Sequence, residues 1–369
     1  MNLDSRMVLN QTSFLNIQGW ANDEHAAALA TFRRSFNEIR ETAHGFKREA
    51  LFGGTLEDWL AISETAFDTT DARQFFETHF TPCQVRDTIR PEGLFTGYYE
   101  PEAEGSRTQT AEYQVPIYRK PPELVALGAE SQKTTRLAYG VIKNGNAEGF
   151  YTRRQIEHGA LADRELEIVW LKSWVDAFFI HIQGSGRILL EDGQIVRLAY
   201  AGKNGHPYTG IGGVLLKRGV ATAETMSMQV LREWMALHPD EARDLMWNNN
   251  SFIFFRDIEV PYDALGALGA QQVHLTPCRS LAVDRSIWML GTPIWLDTMT
   301  PLESPKGSQP FRHLMIAQDT GTAIRGYVRG DVYWGWGDDA ALIAGNMKSP
   351  GRIIVLLPNA LAKKLVQKL

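Results

Sequence analysis

Asp319-Thr-Gly-Thr-Ala-Ile-Arg-Gly-Tyr-Val-Arg-Gly-Asp331-Val-Tyr-Trp-Gly-Trp-Gly337 is the stretch around which the rest of the chain is organised. Two acids, Asp319 and Asp331, sit among closely spaced glycines, with Tyr327, Tyr333, Trp334 and Trp336 around them. Glycine permits tight turns and close backbone approach while weakening ordinary strands and helices. One reading is a Gly-rich pair of β-strands whose acids cap turns. The other is a working site, because aromatic rings stack on the apolar face of a sugar and a carboxyl can move a proton. Alone, the stretch favours the first reading; the second needs support from elsewhere in the chain.

At 369 residues the chain has room for two compact domains and a substantial core. Apolar residues make up 44% and charged ones 22%, the balance of an ordinary globular protein. A net charge of -5 carries no polybasic signature, which argues against nucleic acid as a partner. No apolar run approaches the ~18 residues that span a membrane. The start, MNLDSRMVLNQTSFLNIQGW, lacks the basic segment, apolar stretch and cleavage site of a signal peptide, so the chain reads as cytosolic or as a mature form. Cys83 and Cys278 have no metal-binding spacing; two free thiols and one long-range disulfide remain open. Ten Trp, eleven Tyr and seventeen Phe make an aromatic-rich chain, most of which belongs in the core.

Up to about residue 80 the pattern is helical. Asn22-Asp23-Glu24 offers a cap for a helix over residues 26–39, Thr55 and Asp58 have capping-box spacing, and Asp71 opens a third helix. From Thr81-Pro82 the texture turns to strands, at residues 84–87 and 93–101. Residues 102–122 are polar and end extended, and residues 152–158 form a short capped helix. Strands follow at 167–171, 177–183 and 195–200, the second ending in Gly184-Ser-Gly. Helices return at 213–218, at 222–237 with Thr222 as cap and Glu224 in the first turn, and at 240–247. After a strand at 251–255 the chain is mostly β, with strands at 280–283, 293–296, 313–317, 324–333 and 352–357 and a closing helix at 360–369. Strand and helix do not alternate regularly, which argues against a doubly wound sheet and for barrels.

Several signals are weaker than they look. Asp319-Thr-Gly resembles half of an aspartic protease dyad, but that chemistry needs a second such loop and the sequence has one. Gly184-Ser-Gly lacks the G-x-S-x-G order of a nucleophile elbow, leaving a hairpin turn or polar contacts through Gln183 and Ser185. The nine histidines form no HExxH or clustered set, so neither a metal nor another cofactor is expected. Arg329-Gly330-Asp331 spells a cell-adhesion tripeptide by chance. Trp234, Met226 and Met228 fit core positions.

Five segments in order carry a resemblance: Phe95-Thr-Gly-Tyr-Tyr-Glu-Pro, Phe179-Ile-His-Ile-Gln-Gly-Ser-Gly-Arg, Tyr200-Ala-Gly-Lys-Asn-Gly-His-Pro-Tyr, Met226-Ser-Met-Gln and Ser251-Phe-Ile-Phe-Phe. Together they resemble the membrane-bound lytic murein transglycosylase A family. Asp284, Asp319 and Asp331 stand where the three acids of its C-terminal three-aspartate domain stand. The likeness covers residues 80–358 and implies a mainly β fold with flanking helices. A discontinuous double-psi β-barrel would take residues 1–102 and 260–369, with a smaller inserted β-barrel at 103–259 and a glycan groove between them.

The implied reaction is non-hydrolytic cleavage of peptidoglycan between N-acetylmuramic acid and N-acetylglucosamine, giving 1,6-anhydromuramyl ends. Asp331 then serves as acid and afterwards as base, and Asp319 orients substrate or stabilises charge. Asp284 is expected to fix the barrel backbone. To hold its proton near neutral pH, Asp331 needs its pKa raised by burial against Tyr333 and Trp334 and by a like charge from Asp319 or Asp284. Thr96, Tyr98, Tyr99, Gln183, Ser185, Lys203, Asn204 and Trp334 are the expected substrate contacts. Two rivals stay open: an ordinary glycan hydrolase and a non-catalytic cell-wall binding protein. The substrate implies a periplasmic protein and the resemblance an association with the outer membrane, although no acylation cysteine stands near the N-terminus; a monomer is expected.

Overall fold

The computed structural model describes residues 6–43, 49–222, 225–259, 265–302 and 307–366. The chain divides into two compact units, one made of Met1–Tyr99 with Ala264–Leu369 and the other of Glu100–Asp263. Among the described residues no helix is long and apolar enough to cross a membrane.

In the first unit six strands pair into a closed ring. Its order is Gly93–Glu100, Lys348–Pro358, Pro293–Pro301, Ser308–Asp319, Ser280–Val283, Arg329–Trp336 and back to Gly93–Glu100. Closure leaves these strands without a free edge. Ser280–Val283 runs parallel to Ser308–Asp319 and antiparallel to Arg329–Trp336. Phe80–Asp87 adds to the far end of Lys348–Pro358, and Met7–Gln11 adds to Phe80–Asp87. That first strand falls in a region the sequence reads as helical, because five residues are too few to display an alternation.

Side chains alternate across a strand, so every second residue faces the same way. Leu281 and Val283, Ile294 and Leu296, Met315 and Ala317, and Ile353 and Val355 share one core with Phe95 and Val332. Trp295, Leu314, Ile316 and Leu356 face the opposite way, against the helices His25–Thr42, Leu56–Asp68 and Ala72–His79. Each such buried side chain contributes roughly 1.5–3 kcal/mol, so both faces of the ring stabilise it. Thr55 and Asp58 close a reciprocal capping box, and Asp71 caps the third helix through Gln74 N–H.

The first helix departs from expectation. Glu24 is its N-cap and makes no side-chain cap bond. Asp23 instead accepts from Arg279 Nη1 at 2.8 Å and Nη2 at 3.0 Å, from Leu314 N–H at 2.9 Å, and pairs with His313 Nδ1 at 2.8 Å. It pins the N-terminal helices to the ring. A strand expected over 324–333 starts at Arg329, because Gly326 turns the chain at φ +117 and its N–H binds Asp284. The helix Gly337–Asn346 was not foreseen; Asp338 and Asp339 occupy its first turn. The closing helix spans Asn359–Val366, and its expected end at 367–369 lies outside the described residues. Cys83 and Cys278 are both free thiols.

The second unit holds a six-stranded sheet ordered Ile253–Ile258, Ile195–Lys203, Ser185–Leu190, Glu102–Ser106, Glu167–Leu171 and Val115–Tyr118. Its two edges meet at a bridge between Arg119 and Phe255. The segment expected as a strand at 177–183 is a helix, Trp174–Gln183. Ser173 caps it through Val175 and Asp176 N–H, and Gly184 at φ +79 ends it. Ala177 and Ile180 face the sheet core while Phe178 and Phe179 face the helices Gly212–Lys217, Met228–Leu237 and Pro239–Met246. A short run buried on both sides has no period that separates strand from helix. The helix expected over 222–237 starts at Met228 with Ser227 as cap; Glu224 lies outside the described residues, as does the expected boundary at residue 260.

Burial alone would raise the pKa of Asp23, but its bonds to His313, Arg279 and Leu314 outweigh that and hold it well below the usual carboxylate range. A folded-state pKa below the unfolded one gives stability that is present above the unfolded value and lost as pH falls through the folded value. Asp23→Ala leaves Arg279 buried without its partner and should cost about 3–5 kcal/mol in denaturant unfolding at neutral pH. The variant should also lose less stability on acidification than the parent.

Candidate active site

Asp319 and Asp331 come together because both pair with one residue. In the register of the ring, Ala282 is opposite Asp331 on one side and, past an irregularity that skips Gln318 and breaks the alternation after Ala317, opposite Asp319 on the other. Residues directly opposite share a face, so both acids lie on the face of Ala282, two strand spacings or roughly 10 Å apart along the sheet. Along Gly93–Glu100, Thr96 and Tyr98 point to these acids while Phe95 enters the core.

Thr96 Oγ1 donates to Asp331 Oδ1 at 2.5 Å, and Tyr98 O–H donates to Asp319 Oδ2 at 3.0 Å. Asp319 Oδ1 also accepts from the Ala270 and Thr320 N–H groups, each at 2.9 Å. Tyr98 packs at 5.3 Å from the ring of Tyr333, whose hydroxyl accepts from Ala267 N–H at 3.3 Å. A Cβ at position 266 would stand 2.1 Å from that hydroxyl, so Gly266 is what lets Tyr333 sit there.

Burial pushes the Asp331 pKa up to about 6; the Thr96 bond and the Arg329 charge oppose it, and the Asp319 charge adds to it. Burial also raises Asp319, against the three bonds that favour its anion. Tyr98 is driven well above its usual value by burial and by the Asp319 charge, so it remains a donor. Among the described residues the pair therefore divides into one acid held by three donors and one acid with a single side-chain donor and a pKa near neutrality.

The expected site residues fare differently. Thr96, Tyr98, Asp319 and Asp331 form one cluster. Asp284 is buried and accepts from Ser286 N–H at 3.1 Å and Oγ at 2.6 Å, Gly326 N–H at 3.0 Å and Arg325 Nη1 at 3.2 Å. Burial would raise its pKa, but these groups hold it below the ordinary value. It ties two turns together. Trp334 lies on the other face of its strand from Asp331, packed 5.2 Å from the ring of Phe311 against the core, with Gly97 leaving room for its indole. Burial of Asp331 against Trp334 is thus corrected. Tyr99 alternates away from Tyr98 and is also buried.

Gln183, Ser185, Lys203 and Asn204 belong to the second unit. Gln183 ends a helix, Ser185 begins a strand and is buried, and Lys203 ends a strand half-buried. Asn204 is fully buried, donating to the Tyr151 and Asn250 carbonyls and accepting from Phe252 N–H. Those backbone bonds tie its amide into the fold of the second unit. The residue that sequence reasoning missed is Arg329. Its Nη2 donates to Thr96 Oγ1 at 2.8 Å, and it had been set aside as part of an adhesion-like tripeptide. Its spacing of two from Asp331 was the available signal, since it puts both on one strand face.

Comparison with known proteins adds to this geometry. Residues 94–256 match the MltA specific insert domain and residues 279–357 match the 3D domain. The chain is 38% identical over 338 residues to membrane-bound lytic murein transglycosylase A of Escherichia coli K12, covering 88% of this chain and 81% of that one. Its Vibrio cholerae counterpart is 34% identical over 266 residues, covering 70% of this chain and 64% of that protein. Among solved structures, a membrane-bound lytic murein transglycosylase from Agrobacterium tumefaciens superposes with a TM-score of 0.86 at 36% identity, covering 96% and 99% of the two chains. E. coli MltA with bound chitohexaose superposes with a TM-score of 0.65 at 32% identity, covering 89% and 90%.

A carboxyl titration followed by 13C NMR should place the Asp331 midpoint near pH 6 and that of Asp284 below the ordinary aspartate value. Removing the neighbouring charge with Asp319→Asn should move the Asp331 midpoint down, since that charge now disfavours its ionisation.

Proposed function

This chain belongs to the membrane-bound lytic murein transglycosylase A family, and on that premise we propose that it cleaves the β-1,4 bond between N-acetylmuramic acid and N-acetylglucosamine in peptidoglycan without water, leaving 1,6-anhydromuramyl ends. The observation that carries this reading is the asymmetry of the two acids. An ordinary glycosidase needs two working carboxyls, one as acid and one as nucleophile or base. Here Asp319 has both oxygens engaged by the Ala270 and Thr320 N–H groups and the Tyr98 hydroxyl, while Asp331 is poised near neutrality.

One acid suffices when the nucleophile belongs to the substrate. Protonated Asp331 gives its proton to the glycosidic oxygen as the bond from muramyl C1 breaks. The C6 hydroxyl of the same sugar then bonds to C1, and the Asp331 carboxylate takes the hydroxyl proton, which restores the starting acid. Atoms and protons balance without a water molecule. Intramolecular attack supplies the positional advantage that a bound water would otherwise need. Asp319, whose three hydrogen-bond donors favour its carboxylate form against burial, stabilises positive charge developing at C1.

In this reading the unit built from both chain ends is a double-psi β-barrel that performs the chemistry, and the 100–263 unit contributes glycan contacts through Gln183, Ser185 and Lys203. The E. coli relative that holds chitohexaose supports a glycan substrate of this class. Peptidoglycan as substrate implies the periplasm as the place of action.

Asp331→Asn should reduce release of anhydro-muropeptides from purified sacculi by ~10²–10⁴-fold with the fold intact. A near-parental rate would remove Asp331 from the mechanism. Because the first step uses the protonated form, kcat/KM should fall about tenfold per pH unit above the Asp331 pKa of about 6. Lys203→Ala should raise KM with little change in kcat, and unaltered sacculus binding would remove Lys203 from the glycan contacts.

A further inference from the structure

Arg329, Thr96 and Asp331 form a directional chain. Arg329 Nη2 donates to Thr96 Oγ1 at 2.8 Å, and Thr96 Oγ1 donates to Asp331 Oδ1 at 2.5 Å. A guanidinium can only donate, so the threonine oxygen has to accept from it. The single hydroxyl proton of Thr96 is then available for Asp331, and accepting from a cation makes that hydroxyl a stronger donor. Arg329 is itself held by the Leu94 carbonyl at 3.3 Å and by the Gly330 carbonyl, which fixes its fork in place.

We infer that Arg329 is a positioning residue for the proposed acid: acting through Thr96, it commits Oδ1 of Asp331 to accepting a hydrogen bond and leaves Oδ2 as the oxygen that carries the transferable proton. This rests on the reading of Asp331 as acid and base. A carboxyl free to place its proton on either oxygen would present the wrong one to the glycosidic bond part of the time. It would also offer the wrong oxygen to the C6 hydroxyl in the return transfer. Committing Oδ1 removes that ambiguity in both steps. The relay has a second consequence, because the Arg329 charge and the Thr96 bond both favour the Asp331 anion against burial. Besides Arg329, on its own strand, the charged and titratable groups coupled to Asp331 are Asp319, two strands away across Ser280–Val283, and Tyr98 on the adjacent strand Gly93–Glu100. Thr96 is therefore assigned to the acid rather than to the substrate.

The test compares Arg329→Met, Thr96→Val, Thr96→Ser and the Arg329→Met/Thr96→Val double variant. In the resting protein, the 13C carboxyl midpoint of Asp331 should rise in both Arg329→Met and Thr96→Val, by about one pH unit for loss of the charge. It should return towards the parental value in Thr96→Ser, which restores the hydroxyl. With sacculi, Arg329→Met and Thr96→Val should each lose about tenfold in kcat with KM within twofold, and Thr96→Ser should stay near the parental rate. The double variant should be no worse than the poorer single one, since both changes break one relay. An Asp331 midpoint unmoved in either single variant, or losses that multiply in the double, would overturn the relay. Should Arg329→Met fail to fold, Arg329→Gln keeps an N–H for Thr96 while losing the charge. It should show the same upward midpoint, and an unmoved midpoint would again refute the inference. Because the titration is read without substrate, its outcome is independent of whether Asp331→Asn abolishes turnover.

Discussion

A carboxyl group taken out of water next to another carboxyl resists ionisation, and that resistance at Asp331 is what the proposed chemistry depends on. Burial supplies most of the shift, and the neighbouring Asp319 adds to it. A rise from 3.8 to about 6 corresponds to an unfavourable term of order 3 kcal/mol for the charged form, which the rest of the fold has to offset. The apolar packing on both faces of the closed ring is the source of that surplus. The two acids differ because their donors differ: three for Asp319, one side-chain donor for Asp331.

Strand alternation converts this electrostatic arrangement into geometry. Along Arg329–Trp336, Arg329, Asp331 and Tyr333 share one face, while Val332 and Trp334 pack on the core. Along Gly93–Glu100, Thr96 and Tyr98 share the face that meets the acids. A shift of one residue in either strand would exchange Asp331 with Val332, or Thr96 with Phe95, placing an acid in the apolar core and a hydrocarbon at the site. Closure of the ring and the buried Asp23–Arg279 pair both oppose such slippage.

Much of this was legible in the sequence because it is written in local patterns. The capping pair Thr55–Asp58, the capped helix opening at Thr152 and the strand at 280–283 followed from spacing, while the proposed roles of the two acids came with the family resemblance. Other features depend on contacts distant along the chain. Asp23 looks like a helix cap until Arg279 and His313 are seen beside it. Trp174–Gln183 looks like a strand because both its faces are buried. The packing of Asn204 and Trp334 was not legible either, because polar and aromatic residues among glycines suit both binding and packing, and their partners within the fold lie far along the chain or on another strand. Arg329 escaped notice because its function lies in what it does to Thr96.

The proposed economy of the site is that the substrate brings its own nucleophile, so one proton carrier is enough. That claim is tested most directly by digesting sacculi in water enriched in 18O and measuring the muramyl ends by mass spectrometry. The account predicts anhydro ends with no 18O and with the mass of the loss of one water relative to a reducing end. Reducing ends carrying one 18O atom would contradict it, because the oxygen that replaced the glycosidic bond would then have come from solvent.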